Sequence, residues 1–302
     1  MVSTVSPAGP PRLGNAIALV LWMAGALISF SATAIAVREF AGALSLFDAL
    51  AARSASGVAI ALAIVLVRGE VRTLAPRRMG LHLVRNVVHF AGIFAWSLGV
   101  TLLPLGTVFA LEFTTPAWVT LLAWLVLHER LTLPRLGAVM LGVAGVAVIL
   151  RPGAEVLDPA AFVVLGAAVC FAVVTTATKL LTRTEPTIAI LFWLSAIQLP
   201  LNLIAKAFVP LAAPTRPFGP HEAVALAALC IGGFTSHWCL TNAYHRGDAI
   251  VVMPLDCLRI PLIAFVGWRF YGERLDPFLF AGAALIVGGI LWSLASEARR
   301  AR

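Results

Sequence analysis

The feature that most constrains this chain is its runs of apolar residues that no charge interrupts. Asn15 to Val37, Leu136 to Leu150 and Val224 to Phe234 contain no Asp, Glu, Lys or Arg. A helix needs about 20 mainly apolar residues to cross the hydrocarbon core of a bilayer. A membrane barrel would instead show short segments of alternating polarity. Only 12% of the 302 residues are charged and 61% are hydrophobic, far too little charge for the surface of a soluble domain this long. The pattern predicts an all-α integral membrane protein.

Ten transmembrane helices can be placed, near residues 15–37, 44–67, 80–101, 105–127, 134–150, 159–181, 187–209, 221–244, 249–270 and 276–296. Short links punctuated by Gly, Pro and Arg separate them, and only Val209 to Pro220, with four prolines, makes a longer connection. The first span lacks a small-residue cleavage site and runs on as a full-length helix, which predicts no cleaved signal peptide. Glu129-Arg130-Leu131 recurs as Glu273-Arg274-Leu275, 144 residues later, and at that offset Glu112 meets Asp256 and Gly145 meets Gly289. Five spans per repeat is an odd number, so the halves insert in opposite directions, the arrangement of alternating-access carriers. The expected fold is therefore ten helices in two inverted five-helix repeats around a central cavity. Residues 1–14 form an N-terminal tail, 15–152 and 153–297 the repeats, and 298–302 a basic tail. Mirrored insertion also predicts Glu112 toward the outer face and Asp256 toward the inner one, each about 9 Å into its span.

A net charge of +8 would suit nucleic acid, but the Arg residues lie scattered in the links, and no nucleic-acid partner is expected. Counted by side, they place both termini in the cytoplasm of a bacterial-type plasma (inner) membrane. The expected partners are the lipid bilayer and a small-molecule substrate, with the protein a monomer or homodimer. Cys170, Cys230, Cys239 and Cys257 lack metal-type spacing and read as small buried hydrophobes. No metal, cofactor or catalytic residue is expected. The chain has no G-x-x-x-x-G-K-[ST] loop, so ATP does not drive it directly, and it has no HExxH or G-x-S-x-G. An intramembrane enzyme is the rival class, resting on Ser236-His237, whose adjacent side chains cannot face each other on a helix. A channel would need a repeated filter, which is not seen.

Charges inside spans cost about 2.5–3.5 kcal/mol each even on a lenient scale, so they face a cavity or a partner. Arg53, Arg85 and Arg259 stand against Glu112 and Asp256. Two readings stay open: the ions pair and fix helix positions, or a spare guanidinium binds a carboxylate or phosphate of the cargo. Arg85, His89, Gly92 and Trp96 form one stripe of the third span. Ser195, Gln198 and Asn202 do so on the seventh, His237, Thr241 and Tyr244 on the eighth, Asp256, Arg259 and Ile263 on the ninth, and Trp22, Ser29 and Thr33 on the first. The substrate-pathway candidates are Arg85, His89, Trp96, Glu112, Thr115, Gln198, His237, Trp238, Asp256 and Arg259. His89 and His237 serve either as hydrogen-bonded packing or as proton carriers. Trp96 and Trp238 serve as packing or as platforms for a flat substrate. Pro116, Pro200 and Pro261, read as lying inside spans, are hinge candidates or static kinks. Ala138/Gly142 and Ala284/Gly288 predict close helix contacts.

Leu103-Pro104-Leu105-Gly106, Phe113-Thr114-Thr115-Pro116, Leu127-His128-Glu129-Arg130-Leu131, Gly142-Val143-Ala144-Gly145-Val146 and Arg151-Pro152-Gly153 resemble the EamA-type family of the drug/metabolite transporter superfamily. Gly272-Glu273-Arg274-Leu275 carries the resemblance into the second half. His128 departs from it, standing where the family usually has Gly. The resemblance implies the same ten-helix fold and transport of small metabolites, often amino acids. The expected function is thus secondary transport of an amino acid or related compound, as export. Uptake of organic acids or of S-adenosylmethionine-like metabolites is the alternative.

Overall fold

Away from water a peptide group finds its hydrogen-bond partner only within its own segment or a closed barrel, and the long apolar runs of this chain resolve the problem as helices. The structure, a computed structural model, describes residues 13–127, 132–150, 158–181, 184–209, 214–244, 255–256 and 258–300. The helices are α1 (Leu13–Glu39), α2 (Leu46–Arg68), α3 (Met79–Leu102), α4 (Leu105–Glu112), α5 (Thr115–Leu127), α6 (Leu133–Leu150), α7 (Pro159–Leu181), α8 (Thr187–Phe208), α9 (Pro220–Tyr244), α10 (Arg259–Tyr271) and α11 (Pro277–Arg300). A single 3₁₀ turn, Val71–Leu74, follows α2, and no strand occurs among the described residues. Eight stretches, from α1 to α9 with α4 and α5 taken together, are long and apolar enough to cross a membrane. Much of the expected ninth span, and the motifs at 129–131 and 151–153, lie outside the described residues. Residues 298–300, expected in a tail, complete α11.

The fourth span is two helices rather than one. α4 ends at Glu112, Phe113 and Thr114 turn, and α5 begins at Thr115 with Pro116 as its second residue. Proline at the start of a helix removes an N–H that had no partner to lose, so Pro116 starts a helix and kinks none. Pro261 is likewise the third residue of α10, and only Pro200 sits within a helix, α8. Pro116 thus lies inside the fourth span, as expected, but there and at Pro261 the proline stands at a helix start. Elsewhere the terminators act as the sequence suggests. Gly69 and Gly272 follow α2 and α10 with φ of 67° and 65°, the left-handed conformation that lets the cap N–H reach back to a terminal carbonyl.

α1 packs along α9, α3 along α7, α2 along α8 and α6 along α11, while α4 is enclosed by α7 and α10. Leu105, Phe109 and Leu111 of α4 are fully buried in the main apolar cluster. Leu21, Ile28, Val84, Met140, Val143 and Phe270 point outward, an apolar surface suited to lipid. The close contact of α6 with α11 is made by Gly145 and Gly282, where an added Cβ on either would lie within 2.6 Å of the other's carbonyl oxygen. A Cβ on Gly142 would meet only Ala117 at 3.5 Å, and one on Gly288 would meet nothing. Of the pairs expected, Ala138 does meet α11, since a Cβ on Gly289 would lie 3.2 Å from its carbonyl oxygen.

Both ends of the bundle are tied. At one, Arg38 at the end of α1 binds Glu273 and the carbonyls of Val100 and Leu103, and the Glu273 carboxylate accepts the Leu105 N–H. Glu39 beside it meets Tyr271 and the His221 ring, the latter at 2.7 Å. At the other end Glu185, between α7 and α8, accepts the Arg77 and Arg78 backbone N–H groups at 3.0 Å and meets His82 at 2.6 Å.

Candidate substrate site

The helix break after Glu112 and the start of α10 at Arg259 bring together the buried charges of the bundle centre. Arg259 Nη2 donates to Asp256 at 2.8 Å, and its Nη1 stands 3.4 Å from Glu112 Oε1. The other Glu112 oxygen accepts the Trp96 indole N–H at 2.8 Å. The guanidinium also lies over Phe30, 4.4 Å from the ring centroid, and 4.9 Å from that of Phe113, contacts that favour a cation. One arginine therefore takes both acids. Glu112 and Asp256 thus share one guanidinium. Asp256 and Arg259 face inward together, as their spacing suggested.

Next to this charged centre runs a line of neutral groups. The His89 and His237 rings are 6.1 Å apart, with Phe30 edge-on to His237 at 5.8 Å. The amide of Gln198, from α8, is hydrogen-bonded to His89 Nδ1. One turn before His89, Arg85 Nε donates to Thr178 at 2.8 Å and its Nη1 to the Asn86 side chain at 2.7 Å. Among the described residues Arg85 thus has neutral partners and no acid. The α3 stripe predicted from its spacing is all buried, with Arg85, His89 and Trp96 each at 5% exposure or less.

Sequence reasoning left Arg53 off its pathway candidates, and the structure places it against Gln198 of this line. Arg53, on α2, is 8% exposed and its Nε has no hydrogen-bond partner. With Ser54, Gly57, Leu191, Ser195, Gln198, Gly233 and Phe234 it lines a cavity of about 10 Å³, room for about one water. The signal was present in the sequence, a lone arginine in an apolar stretch, but its lack of an acid partner is a tertiary fact.

Other predicted residues lie apart from this centre. Thr115 Oγ1 donates to the Glu112 carbonyl at 2.6 Å, bridging the α4–α5 break. Trp238 stacks on Phe234 with centroids 5.9 Å apart and lines a separate recess of about 260 Å³ with Arg68, Glu70 and Asn242. Ser29 and Thr33 of α1 face Gly232 and Thr235 of α9, so that stripe is helix packing. Among the described residues no cluster of His, Cys, Asp or Glu could hold a metal.

A helical bundle with buried charges converging at a broken span is the architecture of a membrane carrier. The EamA-like transporter family matches this chain twice, over residues 17–151 and 158–295, and the chain belongs to that family. A riboflavin transporter of Rhizobium johnstonii is 31% identical over 95% of this chain and 94% of its own. One of Vibrio cholerae is 28% identical over 93% and 94% respectively. An S-adenosylmethionine uptake transporter of Rickettsia conorii is 25% identical over 91% of this chain and 92% of its own. A solved crystal structure shares the fold with a TM-score of 0.65, at 22% identity over 94% of this chain and 98% of that one. The names of these relatives lend no support to the expected amino-acid cargo or to export.

Proposed function

We propose that this protein takes up an uncharged heteroaromatic metabolite rich in hydrogen-bond acceptors, riboflavin or a close flavin, by alternating access. The observation that carries this is the charge balance of the centre. Arg259 holds both Glu112 and Asp256, while Arg53 and Arg85 are buried beside the same line of polar groups with no acid among the described residues. S-adenosylmethionine carries a sulfonium and an ammonium against one carboxylate, and two acid-free guanidiniums repel such a cation. The carbonyl and ring-nitrogen edge of a flavin offers them acceptors, and Trp96, Phe109 and Phe113 supply flat apolar surface.

The mechanism proposed is exchange between two inverted repeats. The double family match supports it. So does the pairing of helices, since α1 with α9 is mirrored by α7 with α3 when each helix is replaced by its counterpart in the other half. The two Glu–His contacts fit the same scheme. Glu39 ends the first helix of one half and meets His221 at the start of the third helix of the other, and Glu185 and His82 repeat this at the opposite end. The Lys/Arg asymmetry supports placing the Glu185 end and both termini in the cytoplasm. Uptake of labelled riboflavin and S-adenosylmethionine into proteoliposomes tests the cargo. Saturable riboflavin uptake that excess S-adenosylmethionine does not inhibit is expected. Uptake of S-adenosylmethionine without riboflavin would refute the proposal.

A further inference from the structure

The centre contains three buried arginines, and their surroundings differ in kind. Arg259 is bonded by two carboxylates and Arg85 by two neutral oxygens. Arg53 has neither. No hydrogen bond or ion pair to its guanidinium occurs among the described residues, and its Nε is sealed from solvent. Of the five N–H donors of a guanidinium, the one on Arg53 Nε is sealed from solvent with no partner, and the rest face the small cavity. Leaving a buried cation without a partner is among the most costly arrangements in a protein interior. Such a group is retained at this cost where a ligand completes it.

The walls around Arg53 are shaped to keep it so. A Cβ on Gly233 would stand 2.3 Å from Arg53 Nε, and one on Gly57 would stand 2.2 Å from Ser195 Oγ. Glycine on α9 and on α2 thus leaves the room that the guanidinium and the serine occupy. Ser54, Ser195 and Gln198 line the same cavity, so neutral hydrogen-bonding groups surround the cation and no acid competes with a ligand for it. The cavity lies in the crevice between α2, α8 and α9. The stacked Phe234 and Trp238 stand between it and the recess at the Glu185 end, since Phe234 lines one and Trp238 the other.

We propose that Arg53 is the residue that recognises the acceptor edge of the cargo, its guanidinium taking two adjacent oxygen or nitrogen acceptors of the ligand. A carboxylate offers such a pair, and so does the carbonyl-and-ring-nitrogen edge of a flavin. The inference rests on the transport reading only in requiring a cargo. It extends that reading by naming the group on the cargo that is read. Helices α2, α8 and α9 must separate to admit a ligand, because the present cavity is too small for one.

The test uses the purified full-length chain in detergent, comparing wild type with Arg53→Met, Arg53→Lys and Gly233→Ala. Removing an unpartnered buried charge should leave the melting temperature of Arg53→Met equal to or above that of wild type. Riboflavin binding, read by quenching of flavin fluorescence, should weaken about 10–100-fold in Arg53→Met, the loss of a charge-assisted hydrogen-bond pair. Arg53→Lys should weaken it too, since an ammonium lacks the planar fork. Gly233→Ala should do the same with the charge retained. An Arg53→Met protein that fails to fold or melts several degrees low would show a structural role and overturn the proposal, as would unchanged riboflavin affinity. If wild type does not bind riboflavin, the flavin reading fails and succinate and inorganic phosphate decide for Arg53. Thermal stabilisation of wild type by either, lost in Arg53→Met, sustains it, and no Arg53-dependent shift with any of the three probes overturns it.

Discussion

Replacing Arg259 by methionine is the sharpest perturbation of the buried charge in this protein. Arg259 is 6% exposed, with its guanidinium 2.8 Å from Asp256 and 3.4 Å from Glu112. Arg259→Met strands both carboxylates and leaves the Trp96 indole as the side-chain donor to Glu112. Breaking a buried ion pair from one side costs about 3–5 kcal/mol, because the remaining charge is left uncompensated. Loss of the cation–π contacts with Phe30 and Phe113 adds about 0.5–2 kcal/mol each. Set against a total stability of about 5–15 kcal/mol, the single variant should be severely destabilised. Adding Asp256→Leu removes one stranded charge, but Glu112 still lacks its guanidinium, so the double variant should recover only in part. Adding Glu112→Gln removes the last charge of the triad and leaves an oxygen for Trp96. Melting temperatures followed by tryptophan fluorescence in detergent should therefore rise from single to double to triple variant, the triple approaching wild type. A single variant that melts with the triple would show that the acids do not depend on Arg259, and the reasoning would fail.

Gly145→Ala and Gly282→Ala should each destabilise the protein by about 1–3 kcal/mol, the usual cost of overpacking, because each Cβ would lie within 2.6 Å of a backbone oxygen that cannot rotate away. Gly288→Ala, with nothing within 4 Å, should melt at or slightly above wild type, and equal melting of all three would refute the contact. At the Glu185 end, burial raises the carboxyl's pKa, but hydrogen bonds from His82 and from the Arg78 and Arg77 backbone outweigh it and hold the net value below 4.5. A folded-state value below the unfolded one means that the unfolded chain binds more protons in that window, so stability falls as pH falls. The contribution should be complete above about pH 4.5 and lost as pH drops through the depressed value. Melts of wild type and Glu185→Gln should differ most at neutral pH and converge in acid, and a constant gap would refute the assignment.

The helices and their stripes were legible because they depend on local periodicity. A residue's side of a helix is set by 3.6-residue spacing, so Arg85, His89 and Trp96 could be grouped before any tertiary contact was known. What they touch could not. Arg85 finds Thr178 and His89 finds Gln198, on α7 and α8, and these meetings depend on the axial register between helices about a hundred residues apart in sequence. The same limit hid the division of charge. Three cations and two anions were visible in the sequence, but the position of Arg259 against both acids follows from where α4 stops and α10 starts. That stop was itself readable. Thr115 precedes a proline, a position biased away from helix, and Phe113-Thr114-Thr115-Pro116 marks a break that the apolar run disguised. The Gly145–Gly282 contact was not readable, because several glycines in α6 and α11 have suitable spacing and only the crossing point selects among them.

On the proposed reading, the two tied ends and the small central cavity bear on how cargo would reach Arg53. The Arg38–Glu39 end ties α1 to α9, α10 and the loop before α4, and the Glu185 end ties α3 to the α7–α8 link. Each set joins elements of opposite halves, so neither half can tilt against the other until one set breaks. The described central cavity is too small to admit a solute, and on the proposed transport reading this arrangement would be a closed state of the carrier. Release of the Glu185 set would free the ends of α3 and α8 beside the recess that Trp238 lines, opening the crevice in which Arg53 waits. Release of the other set would free α1 and α9, which flank Phe30 and His237 on the opposite side of the centre. A cargo that satisfies Arg53 removes the largest electrostatic cost of the closed centre, and so favours closure around itself over closure without it. On that reading, recognition of cargo would be coupled to the step that moves it.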